Sequence, residues 1–105
     1  MGKKYRVEVD TEATCKYLGY LSKLSQLSEN AAVNLGREYQ RAVDVIADMP
    51  TVFQRYPFAK SPDTELRYCL FGAKRQYRLV YEIDGDCVIV HDIQACRQDT
   101  DKSLV

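Results

Sequence analysis

The sequence has no excess of charge of either sign, no cysteine pair at metal-ligand spacing, no long apolar run and no internal repeat. Each absence removes a class of function. Fifteen Lys and Arg residues balance fifteen Asp and Glu residues. Bulk charge therefore offers nucleic acid no footprint, and any such binding must come from a local patch. No apolar stretch approaches the roughly 20 residues of a spanning helix. Met-Gly-Lys-Lys leads into a strand pattern rather than an apolar signal core, so the expectation is a cytoplasmic protein without a membrane partner. The cysteines, at 15, 69, 87 and 96, make no CxxC pair, and only one histidine is present. No metal and no other cofactor is expected from this set, and the thiols should stay reduced. Low-complexity segments are also missing. Apolar content of 46% against 29% charged residues favours a folded chain over a disordered one. At 105 residues, it is read as one domain, 1–105, with a frayed tail over 100–105.

What is present is periodicity. Tyr5, Val7 and Val9 alternate with charged residues, as in a strand with one buried face. Asp10 or Thr11 should cap a helix carrying Tyr17, Leu18, Leu21, Leu24 and Leu27 at helical spacing, with Lys16 off that stripe. Ser28 opens a second helix, striped by Ala32, Leu35, Tyr39, Ala42, Val43 and Ile46 and stopped at Met49-Pro50. Thr51–Thr64 reads as a loop whose aromatics, Phe53, Tyr56 and Phe58, pin it to the core. Glu65–Phe71 is a strand, and Gly72-Ala73-Lys74 turns it into a hairpin spanning Gln76–Asp99. Cys69 and Cys87, within strand patterns, read as small buried hydrophobes.

The hairpin sets an expected register. With Asp84-Gly85 as a two-residue turn, Tyr81 faces Val88, Val80 meets Ile89, and Arg78 lies opposite His91. The order β-α-α-β-β-β predicts a two-layer α+β domain, an antiparallel sheet packed against a helical hairpin.

That order, with Tyr77-Arg78-Leu79-Val80-Tyr81 and the ending Ala95-Cys96-Arg97-Gln98-Asp99, resembles the RelE/ParE superfamily of toxins from bacterial type II toxin–antitoxin, or plasmid-stabilisation, modules. The resemblance covers nearly the whole chain. It implies a RelE-like mRNA interferase, a ribosome-dependent endoribonuclease that inhibits translation without a metal. The alternatives it carries are a ParE-like inhibitor of DNA gyrase and an inactive homologue that only binds its antitoxin. Fold alone does not choose among them.

For the nuclease, the resemblance implies catalytic roles for Arg78 and Arg97 at the scissile phosphate, with Arg67 near a family lysine and His91 as the one histidine available for proton transfer. Lys74 and Arg75 at a hairpin tip are candidate RNA contacts. The residues also allow structural roles: an ion pair of Arg78 with Glu82 or Asp92, a local bridge between Arg97 and Asp99, a structural His91, and a solvated tip. The tail Thr100–Val105 has no aromatic where RelE-like nucleases place a catalytic tyrosine. A cognate antitoxin is the implied partner, seated on leftover apolar helix residues and a sheet face carrying Val80 and Ile89.

Overall fold

The computed structural model describes residues 4–59 and 63–96. Its elements, in chain order, are β1 (Arg6–Val9), α1 (Thr11–Leu27), α2 (Glu29–Asp48), β2 (Arg67–Phe71), β3 (Tyr77–Asp84) and β4 (Cys87–Ala95), with short 3-10 turns at Pro50–Val52 and Ala73–Arg75. The expected α+β class and the order β-α-α-β-β-β are both present. The strands form one sheet in the order β1-β4-β3-β2.

The sheet is mixed, which corrects the all-antiparallel expectation. β1 lies parallel to β4, from Arg6 opposite Cys87 to Val9 opposite Val90, whereas β2–β3 and β3–β4 are antiparallel. Alternation of apolar and polar residues sets which side chains face the core, not the direction a strand runs.

The two helices cover one face. The core between them and the sheet holds Tyr17, Leu35 and Ile46 from the helices against Cys69, Phe71, Leu79, Tyr81, Val88, Val90 and Ile93 from the strands. Tyr17 and Tyr39 stack across the helical hairpin with ring centroids 4.0 Å apart. Ser28 joins the helices, and its side chain accepts from the Ala31 amide. The Tyr81 hydroxyl donates to the Pro50 carbonyl at 2.6 Å, which fixes the turn that ends α2.

The β3–β4 register differs from the sequence reading. Asp84 pairs with Cys87, so the loop is Gly85-Asp86 rather than Asp84-Gly85. Gly85 has φ of 61°, and a two-residue hairpin with glycine first needs its positive φ at that position. Further along, Tyr81 pairs with Val90 but Val80 pairs with Asp92. His91 is thus the extra residue of a β-bulge, and Gln94, not His91, lies opposite Arg78.

The bulge decides which face the end of β4 serves. Val88 and Val90 point into the helix-side core, and an unbroken strand would send Asp92 and Gln94 after them. With one residue inserted, Ile93 takes the core position. Asp92 and Gln94 emerge on the open face, the face without helices, across from Val80 and Arg78. There Tyr56 and Leu66 bury Val80 in a second, smaller cluster. The segment around Tyr56 reaches this face by pairing along the outer edge of β2, through a bridge between Arg55 and Arg67.

Candidate functional site

Arg78 stands on the open face, near the start of β3. Its Nε donates to the Gln94 side-chain carbonyl. Its guanidinium carbon lies 5.4 Å from the centroid of Tyr56 and 5.6 Å from that of Phe58. Those rings meet edge to face, with centroids 5.8 Å apart, and Tyr68 sits edge-on to Tyr56 on the other side. The guanidinium fills the corner between the two rings, where the quadrupole of each attracts it.

The described carboxylates nearest Arg78 in sequence register, Asp92 and Glu82, are engaged elsewhere. Asp92, fully buried, receives Lys16 of α1 at 2.6 Å. Its second oxygen accepts from Gln94 Nε2 at 2.7 Å, and the same nitrogen lies 2.9 Å from the Tyr56 hydroxyl. Glu82 accepts from His91. Among the described residues, Arg78 therefore forms no ion pair, and its guanidinium bond there is the one from Nε to Gln94. The Gln94 amide orientation follows from its neighbours. Arginine can only donate and the ionised carboxylate only accept, so the amide oxygen faces Arg78 and the nitrogen faces Asp92.

His91 occupies a different part of the same face. Nδ1 is 2.7 Å from the Asp10 carboxylate, and Nε2 bonds Glu82. Burial of the ring favours the neutral form, but the two carboxylates outweigh it and the pKa is raised above 6.5. Asp10 precedes α1 without capping it by a side-chain bond, because its carboxylate holds His91. Glu82 lies four residues beyond Arg78 on β3, roughly 13 Å along the strand. His91 and Arg78 are therefore not neighbours.

The other sequence-predicted residues scatter. Arg67 faces the helix side, where it donates to the Phe53 carbonyl and approaches Glu65 at 3.4 Å. It anchors the crossing loop and does not join Arg78. Lys74 and Arg75 are exposed at the β2–β3 tip with left-handed backbones, φ 56° and 54°. Arg97, Asp99 and the tail over 100–105 lie outside the described residues. Val80, expected on the antitoxin-facing groove, is fully buried under Tyr56 and Leu66. Ile89 stays partly exposed but pairs with Glu82 instead.

No family model matches this sequence, and no curated protein matches it. Among the described residues, no cluster of three or more His, Cys, Asp and Glu is arranged to hold a metal, and no helix is long and apolar enough to cross a membrane. The cysteines there are free thiols, with the Cys69 thiol pushed up to about 11 by burial.

Gln94 and Lys16 are the residues that sequence reasoning missed. The available signal was the phase of the apolar residues in β4. Val88 and Val90 share one parity and Ile93 has the other, and only a bulge between them keeps all three in the core.

Proposed function

We propose that this chain is a toxin of the RelE-like kind, which cuts messenger RNA on the ribosome, with Arg78 as the group that meets the phosphate. The observation that carries this reading is a guanidinium oriented by an amide and two aromatic rings, with no carboxylate paired to it among the described residues. Cleavage by a ribose 2′-hydroxyl builds negative charge on the phosphorane. Donors already aimed at that charge stabilise it without reorganising. Arg78 has its Nε committed to Gln94, which leaves the terminal nitrogens to span two phosphate oxygens. An antitoxin is the partner in this reading. Leu18, Leu27 and Val33, each more than half exposed on the helices, offer it apolar contacts.

A second reading has its own observation. Both nitrogens of His91 are bound to carboxylates, so this histidine is not free to shuttle a proton. That favours a ParE-like protein acting on gyrase through its surface alone.

The test is pulse labelling with methionine and thymidine after induction of the gene in a bacterium, with Arg78→Ala beside the parent. Early loss of protein synthesis, abolished by Arg78→Ala in a folded variant, is the expected result. Early loss of DNA synthesis instead moves the assignment to gyrase. Normal labelling by soluble, folded parent protein removes both readings and leaves an inactive homologue.

A further inference from the structure

Two large apolar side chains on the open face remain in water beside Arg78. Phe58 is 51% exposed and Leu70 is 38% exposed. Leu70 lies directly opposite Arg78 in the β2–β3 register and so shares its face. Phe58 is held in place by its edge-to-face contact with Tyr56, itself only 5% exposed. This puts a fixed aromatic plane within one side chain's reach of a cation that has no counter-ion among the described residues.

From this juxtaposition we infer that Phe58 and Arg78 form a seat for one unpaired nucleotide of a single-stranded nucleic acid, the base on Phe58 and its phosphate on Arg78. The inference rests on the RNA-directed reading above and names the form of substrate which that face accepts. A nucleotide offers a flat π-surface and an anion at this separation. In a duplex, the base faces are hidden against one another, and only an unpaired base can stack on a side chain. The flanking phosphates have cations to meet. Lys74 and Arg75 precede Arg78 at the same end of the sheet. Their left-handed backbones, costly for residues with side chains, are held by bonds from the Arg75 amide to Gly72 and from the Cys96 amide to Gln76.

The experiment is fluorescence anisotropy of the full chain with a short labelled oligouridylate, the same length of hairpin duplex, and a deoxy strand. Single strands should bind more tightly than the duplex, the deoxy strand included, since base and phosphate make the contacts. Phe58→Ala should weaken single-strand binding about tenfold, and Phe58→Trp should restore it. Arg78→Gln should lower the salt slope by about one phosphate. Thermal unfolding of each variant checks that the half-exposed position leaves the fold intact. Equal affinity for duplex, unchanged binding by Phe58→Ala, or displacement of the strand by a phosphotyrosine peptide but not by unlabelled oligouridylate overturns the inference. The two proposals fail separately. A harmless gene whose product still binds in this pattern removes the toxin reading alone. Arg78-dependent toxicity with unaltered binding and killing by Phe58→Ala removes the seat alone.

Discussion

At the scale of single residues, what matters about Arg78 is the neutrality of its partners. An arginine held by a carboxylate has its charge offset. One held by an amide and aromatic faces keeps that charge for a ligand. Arg78→Lys should therefore fail although charge is conserved, because an ammonium cannot bond Gln94 and still present two parallel donors. If the chain is the toxin proposed above, loss of most toxicity with less than about 1 kcal/mol change in stability is the expected outcome, read by growth arrest and denaturant unfolding. His91 carries a different prediction. Its pKa is raised in the folded state by Asp10 and Glu82, after burial of the ring has taken back part of the effect. The folded state thus holds the proton more tightly than the unfolded chain does. The stability from this clasp is complete below the ordinary value of 6.5 and fades as pH rises through the folded value. Melting temperature should fall across that window in the parent and stay flat in His91→Asn. The sequence has only one histidine, so the comparison assigns the change.

At the scale of elements, the bulge in β4 is the feature on which the site depends. Replacing His91 leaves the backbone count intact and keeps Asp92 and Gln94 on the open face. Deleting His91 removes the extra residue, turns Ile93 out and sends both into the core beside Leu79 and Val90. Burying an unpaired carboxylate there costs more than a domain of this size has to spare. The deletion should give no cooperative unfolding transition by circular dichroism, while His91→Ala still unfolds cooperatively. The helix starts can be told apart in the same way. Ser28→Ala removes a true N-cap and should cost about 1 kcal/mol at any pH. Asp10→Ala removes no side-chain cap and should mainly reduce the pH dependence at His91, leaving the part that Glu82 supplies.

At the scale of the whole molecule, the sheet has two unlike faces and charge that is balanced only in sum. Glu82, Asp84 and Asp86 lie towards the β3–β4 turn, with Arg6 beside them on β1, while Lys74, Arg75 and Arg78 lie towards the opposite end. Zero net charge therefore conceals a local cationic patch, the one route to nucleic acid that composition leaves open. Lys16 joins the two layers. It leaves α1 and reaches past the edge of β4 to Asp92, which in turn orients Gln94. Lys16→Met should destabilise the fold by about 3 kcal/mol, because it removes a partner from a buried carboxylate while Gln94 still donates to it. Asp92→Asn in the same background should recover part of that loss, as a double-mutant cycle of unfolding free energies would measure.

The sequence by itself determined the elements. Stripes at helical spacing placed α1 and α2, Ser28 and Pro50 marked their junction and their end, and alternation placed the strands and the cysteines among them. These are local properties, set by neighbours within a few residues along the chain. Only the tertiary structure decided that β1 runs parallel to β4, that the loop is Gly85-Asp86, and that His91 bulges out. Direction and register depend on which strand is adjacent, and a single inserted residue reverses every side chain beyond it. The same reversal explains why Arg78 was legible as a candidate while its holders were not. An arginine in a strand motif stands out in a sequence, but Gln94, Asp92 and Lys16 acquire their roles only when a bulge and a helix bring them to one face.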